Sequence, residues 1–140
     1  MIASYAAAYA ASAAVFFGID FIWLSTVSTS FYRSRIGVLL LDQPNLGVAG
    51  LFYLVYVAGI VHFAVIPAVN SASWTTALIN GALLGLVAYG TYDMTNLATL
   101  KNWSVAVSVV DMTWGVALTA TAATCGYVFT AWTAAKPLSP

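Results

Sequence analysis

Three aspartates lie inside long apolar runs of this sequence: Asp20, Asp93 and Asp111. A carboxylate inside a membrane segment is costly, so it normally faces the protein interior and has a partner there. Such a group can bind a cation, exchange a proton, or hold helices together through hydrogen bonds. The three aspartates are therefore the candidate chemical centre of the protein.

A short motif links the aspartates to bulky polar neighbours. Asp-x-x-Trp occurs at residues 20–23 and 111–114, and Asp-x-x-Asn occurs at residues 93–96. Positions i and i+3 share a helix face, so Trp23 and Trp114 are each expected to cover the aspartate of their own motif. The recurrence suggests duplicated helix pairs, an arrangement found in small membrane proteins, with chance as the alternative.

The sequence predicts one polar site in the protein interior. The predicted ligand- or proton-binding residues are Asp20, Asp93, Asn96 and Asp111. The predicted lining residues are Trp23, Tyr89, Tyr92 and Trp114, and the predicted countercharge comes from Lys101 or Arg33. No residue is assigned a catalytic role and no cofactor is assigned. No metal is expected, because His62 has no second His or Cys at ligand spacing.

The composition indicates a membrane protein. Of 140 residues, 62% are hydrophobic and 6% are charged, with a mean hydropathy of +0.93, whereas soluble domains have about 25% charged residues. We expect an all-α integral membrane bundle of four transmembrane helices, forming a single domain over residues 1–140. The predicted helices are residues 4–28, 46–66, 74–97 and 103–129, with an interfacial loop at 29–45. A net charge of zero without a basic patch makes nucleic acid an unexpected partner.

Two patterns place the aspartates together. At 1.5 Å per residue, each aspartate lies roughly 6–10 Å from the centre of its helix, displaced toward the side of the basic loops. Gly81 and Gly85 precede Asp93 on one helical stripe, and a Gly-xxx-Gly pair lets another helix approach closely. Asp93 is therefore expected to face protein. The positive-inside rule puts the basic loops in the cytoplasm.

Three functions remain open from the residues alone. The site could bind or transport a small cationic or polar ligand, or relay protons, which is the reading we favour. The alternatives are a lipid-modifying membrane enzyme and an accessory or structural subunit held together by its aspartates. Like charges and desolvation disfavour three ionised carboxylates at one site, so at least one is expected to be protonated. Membrane lipids are expected partners, and an oligomer is compatible with the sequence.

Five segments carry a resemblance to a known family: residues 19–24, 31–33, 51–59, 92–101 and 111–115. They resemble a family of small bacterial membrane proteins catalogued as domain of unknown function twenty-one seventy-seven. The resemblance covers almost the whole chain. It implies a four-helix protein of the bacterial inner (cytoplasmic) membrane and brings no activity or ligand.

Overall fold

The computed structural model describes residues 2–134, which are almost entirely helical and contain no β-strand. Residue 1 and residues 135–140 of the predicted domain lie outside this description. Four long helical segments follow one another. They comprise α1 (Ile2–Trp23) with a π-helical segment (Leu24–Tyr32), α2 (Arg33–Ile36) and a 3₁₀ turn (Gly37–Leu39); α3 (Leu46–Ile60) with a second π-helical segment (Val61–Val65) and α4 (Ile66–Ser71); α5 (Trp74–Thr99); and α6 (Val105–Thr133).

Three of the four segments are long and apolar enough to cross a membrane: Ile2–Leu39, Leu46–Ser71 and Val105–Thr133. The fourth, α5, has 26 residues and packs along α6. It is less apolar because polar residues, including Asn80, Asp93 and Asn96, are distributed along it. The predicted all-α membrane bundle is confirmed.

The first segment runs further than the sequence predicts. Residues 29–39 were expected in a loop at 29–45, but the helical path continues to Leu39. Within this continuation, Thr26, Thr29 and Ser30 donate to carbonyls one turn back at 2.7–3.3 Å, so their hydroxyls need no other partner. Such back-bonding competes with the regular backbone ladder, and the segment winds as a π-helix. The remaining connection is residues 40–45.

The other helix starts have side-chain caps. Asn45, Ser73 and Ser104 each accept a hydrogen bond from the backbone N–H three residues later. These short polar side chains satisfy amide groups that the helix itself leaves unpaired. The second segment begins directly after Asn45, and α5 begins directly after Ser73.

Helix α6 forms the centre of the bundle, with α5 on one side and α1 on the other. The predicted glycine stripe faces it: a Cβ on Gly81 would lie 2.9 Å from the Cα of Ala120, and a Cβ on Gly85 would overlap the Gly115 backbone. Close approach of α5 to α6 therefore requires these glycines. Cys125 lies on the outer face of α6 and is exposed.

The second segment covers the other helices along only half of its length. From Tyr56 onward it is largely buried, and residues 61–65 pack against α1, α5 and α6. Over residues 46–55, by contrast, all side chains except those at positions 49, 50 and 53 are exposed. This uneven coverage leaves a space beneath the first half of α3.

Candidate functional site

A cavity of about 600 Å³ occupies the space that α3 leaves uncovered. Its walls come from all four helical segments, and it contains two of the predicted aspartates, Asp20 and Asp111. Aromatic side chains dominate the rest of the wall. They are Trp23, Tyr32, Phe52, Tyr53, Tyr56, Tyr89, Tyr92, Trp103 and Trp114.

Asp20 of α1 is held by the tryptophan of the other motif. Trp114 Nε1 on α6 donates to Asp20 Oδ1 at 3.1 Å. The carboxyl is almost fully buried, with 4% of the residue exposed, and its Oδ2 has no hydrogen-bond partner among the described residues. The Tyr53 hydroxyl approaches the same carboxyl from α3 without bonding to Oδ2. Asp20 thus presents one satisfied and one free acceptor at the cavity wall.

Asp111 of α6 is bound from the opposite direction. The Tyr32 hydroxyl donates to Asp111 Oδ1 at 2.5 Å, and Trp23 Nε1 donates to the Tyr32 oxygen at 3.2 Å. Each motif tryptophan therefore serves the aspartate of the other motif, whereas the sequence predicts that it covers the aspartate of its own. Trp114 serves Asp20 directly, and Trp23 serves Asp111 through Tyr32.

The two motif tryptophans meet between these hydrogen bonds. The rings of Trp23 and Trp114 are parallel within 6°, with centroids 4.2 Å apart. Stacked aromatic pairs contribute about 0.5–1.5 kcal/mol beyond their buried area. The stack ties α1 to α6 at the depth of the two carboxyls and fixes the direction in which each indole N–H points.

Asp93 lies behind the cavity wall. It is fully buried, as predicted from the glycine stripe, and its carboxyl lies beside that of Asp111. Neither Asp93 oxygen has a hydrogen-bond partner among residues 2–134. Asn96 is half-buried on the same helix, next to the Tyr92 hydroxyl, and is not among the residues that line the cavity.

The predicted tyrosines line the α5 wall. The Tyr89 ring packs over Gly115, where a Cβ would overlap the ring. Tyr92 stands edge-on to Trp103 with ring centroids 5.6 Å apart, and half of it is exposed. Gly115 therefore makes room for an aromatic wall, a role that its sequence position did not reveal.

The predicted countercharges lie elsewhere. Lys101 is exposed in the turn between α5 and α6. Arg33 is exposed and donates to the backbone carbonyl of Asp42 at 3.2 Å. Arg35 lies over the Phe31 ring, 3.8 Å from its centroid. His62 is exposed beside Phe63 in the second π-helical segment and is not part of the cavity wall.

Sequence reasoning missed five aromatic members of the wall: Tyr32, Phe52, Tyr53, Tyr56 and Trp103. Tyr32 falls in the segment that the sequence predicts as a loop. Trp103 lies at a helix end, where tryptophan is typical of the membrane interface. The aromatic cluster at residues 52–56 was visible on the second helix, where positions i and i+4 share a face. The spacing of Phe52 and Tyr56, four positions apart, indicates that their rings lie on one face of the helix and could form a second aromatic wall.

Comparison with known proteins places the chain in a family. The family described as "Predicted membrane protein (DUF2177)" matches residues 5–128. The chain belongs to this family. All the cavity-lining residues fall within the matched part, so the site lies in the region that defines the DUF2177 family. No curated protein and no solved structure matches the chain.

Proposed function

We propose that this DUF2177 protein binds a small organic cation in its intramembrane cavity, in the inner membrane of a bacterium. The observation that carries the proposal is the composition of the wall, in which two carboxyls stand among nine aromatic side chains. Asp20 and Asp111 would hold the positive charge, and the aromatic rings would enclose the rest of the ligand. Binding is the first step of any transport of such a ligand.

The aromatic side chains favour an organic cation over a bare metal ion. The face of an aromatic ring attracts an ammonium or guanidinium group placed within about 6 Å of its centroid, and rings arranged as a cage recognise quaternary ammonium groups. Tyr53, Tyr56 and Tyr89 provide rings from two helices around the same space. An ammonium group with short alkyl substituents fits this combination of charge and rings.

The charge balance also favours a cation. Asp20 Oδ2 is buried without a hydrogen-bond partner among the described residues. The basic side chains of the described part of the chain, Arg33, Arg35 and Lys101, are all exposed. Burying an unpaired charge is costly, and a bound cation beside Asp20 and Asp111 would supply the missing partner.

Proton transfer is a second candidate, supported by a different observation. Trp23, Tyr32 and Asp111 form one hydrogen-bonded chain, and it ends beside the buried carboxyl of Asp93. The Trp23 indole N–H only donates, but the Tyr32 hydroxyl both donates and accepts, so Tyr32 and Asp111 can pass a proton between the cavity and Asp93. Under this function the aspartates would matter for proton flux, not for the affinity of an organic cation.

The deciding experiment compares matched Asp→Asn variants in detergent. Tetramethylammonium is added to the parent protein, and its effect on the thermal unfolding midpoint is measured. A ligand at one hundred times its Kd stabilises by about 2.7 kcal/mol, which raises the midpoint by roughly 5–10 °C. Asp20→Asn and Asp111→Asn should lose this shift, because they keep the shape of the site and remove its charge.

Asp42→Asn is the matched control, since Asp42 is the exposed acid of the loop before α3. It should keep the full shift. If the parent shows no shift with tetramethylammonium, or if Asp20→Asn and Asp111→Asn keep it, the cation-binding proposal is wrong. Proton flux in proteoliposomes that disappears in Asp93→Asn would then favour the proton relay.

A further inference from the structure

We infer that the ligand is a cationic amphiphile that enters from the lipid leaflet: an ammonium headgroup attached to a hydrocarbon chain. This inference rests on the proposed cation site and names the class of ligand that the site takes. Three observations lead to it, namely the side on which the cavity opens, the chemistry of its rim, and its depth and size.

The cavity opens sideways between α3 and α5. Helix α3 makes little contact with α5, whereas the following π-helical segment packs against α5 closely. Phe52 on α3 and Tyr92 on α5 both line the cavity, and they are 61% and 54% exposed. In a membrane-spanning bundle, a gap between two helix flanks faces lipid.

The α3 side of the gap is apolar, its α5 side carries Thr91, Tyr92 and Thr95, and its floor carries the carboxyls. Next to Phe52, the flank of α3 exposes Leu51 and Val55. Asp20 and Asp111 lie deeper, on the helices behind. A chain lying along the rim would bury hydrocarbon against hydrocarbon, while its headgroup would reach the carboxyls.

The depth of the site matches this path. Phe52 lies six residues after the start of α3, and Asp111 six residues after the start of α6. At 1.5 Å per residue both lie roughly 9 Å from those helix ends. Since α6 has 29 residues and is about 44 Å long, it exceeds a hydrocarbon core of about 30 Å by roughly 7 Å at each end, and the site lies just below the headgroup boundary. A lipid headgroup would need to sink only slightly to occupy it.

The volume is larger than a headgroup requires. At about 30 Å³ per water molecule, a cavity of about 600 Å³ equals roughly twenty waters. A protonated amine or a tetramethylammonium ion fills only part of that space. The remainder, bordered by aromatic rings, suits the first carbons of an attached chain.

The test compares two cations with the same headgroup, tetramethylammonium and dodecyltrimethylammonium, by titrating the tryptophan fluorescence of the protein in a maltoside detergent. Three tryptophans line the cavity and should report its occupation. The rim variant is Phe52→Ser. Its matched control is Phe21→Ser, because Phe21 is equally lipid-facing on α1, 73% exposed, and not part of the wall.

We expect Phe52→Ser to weaken binding of the dodecyl cation by about fivefold or more, because apolar contact with the chain is lost. Because Phe52 is also one ring of the wall, its affinity for tetramethylammonium should fall too, but by a clearly smaller factor than for the dodecyl cation, and Phe21→Ser should change neither value. An equal loss for both cations would mean that Phe52 contacts the headgroup and not the chain, which contradicts the inference. Asp111→Asn should weaken both cations, which ties the chain-bearing ligand to the same site. Dodecanol should not compete.

Other results overturn the inference in distinguishable ways. If Phe52→Ser leaves the dodecyl affinity unchanged while tetramethylammonium binding still requires Asp111, the ligand is a small cation and only the lipid origin is wrong. If dodecanol competes as well as the dodecyl cation, the gap takes chains regardless of charge, and the amphiphilic cation is wrong. If neither cation binds, the cation site itself is wrong.

Discussion

The two ends of the bundle differ in how the second helical segment meets the others. At one end, small residues bring the backbones together, and Ala64, Ala68 and Ala123 are completely buried. At the other end, aromatic and acidic residues stand between the helices and leave a cavity. In a lipid environment packing, and not hydrophobicity, drives helices together. The position of small residues therefore decides where this bundle closes and where it stays open.

The largest expected effect comes from adding one methyl group at the closed end. Gly81→Ala would place a Cβ 2.9 Å from Ala120 Cα and 3.0 Å from the Thr119 carbonyl oxygen. Because these are backbone atoms that cannot turn aside, we expect α5 and α6 to move apart at a cost of about 1–3 kcal/mol. Unfolding in mixed detergent micelles measures this free energy.

Gly59→Ala is the control for helix propensity, since a Cβ there would meet nothing within 4 Å. It should leave stability unchanged or raise it by up to about 1 kcal/mol, because alanine is the better helix former. If the two substitutions have equal effects, close backbone approach does not hold the closed end together.

A smaller effect is expected at the open end, where hydrogen bonds replace close packing. Tyr32→Phe removes the hydroxyl that donates to Asp111 Oδ1. A double-mutant cycle with Asp111→Ala, which removes the acceptor, should give a coupling free energy near 0.6 kcal/mol and at most about 1.7 kcal/mol, the range measured for hydrogen bonds in membranes. Tyr5→Phe is the control, because Tyr5 is partly exposed on α1, far from Asp111 in the fold. A coupling of zero would mean that the bond does not support the open end.

The smallest effect on stability is expected for Asp93→Asn. The substitution keeps the shape of a fully buried side chain whose oxygens have no hydrogen-bond partner in the described chain. We expect a change below about 0.6 kcal/mol, the average for one hydrogen bond in a membrane. Because Asp93 lies beside Asp111, like charges and desolvation disfavour two ionised carboxylates there, and the infrared band of the protonated carboxyl of this pair should disappear in this variant. A parent protein without such a band at neutral pH would contradict the prediction.

The fold was predictable because its signals are local. Apolar runs set the helical segments, Asn45 and Ser73 mark two starts, and the spacing of Gly81 and Gly85 identifies the face of α5 that meets α6. The burial of Asp93 follows from the same stripe. Each of these inferences needs only one helix and its periodicity.

The site was only partly predictable because it depends on pairs of helices. The cost of burying carboxylates pointed to Asp20 and Asp111, but not to their donors on other segments. Arg33 and Lys101 are both exposed and do not reach the carboxyls. Long basic side chains keep their charged ends in water, and the sequence alone does not tell whether such a side chain points toward a site or toward the membrane surface. The cavity forms because the first half of α3 does not pack closely on the other helices. The sequence of α3 alone does not indicate how closely it packs.

The π-helical winding of Leu24–Tyr32 has a consequence for angular position. Along an ordinary α-helix each residue turns about 100°, so two residues nine positions apart point in opposite directions. In a π-helix, closed by i→i+5 bonds, each residue turns only roughly 80°. Nine residues therefore complete two full turns, and two residues nine positions apart point in the same direction. Trp23 and Tyr32 are nine positions apart and are joined by a hydrogen bond. The π-helical winding of the serine- and threonine-rich segment thus turns Tyr32 to the same side as Trp23. For this reason Tyr32, which the sequence places in a loop, faces Asp111.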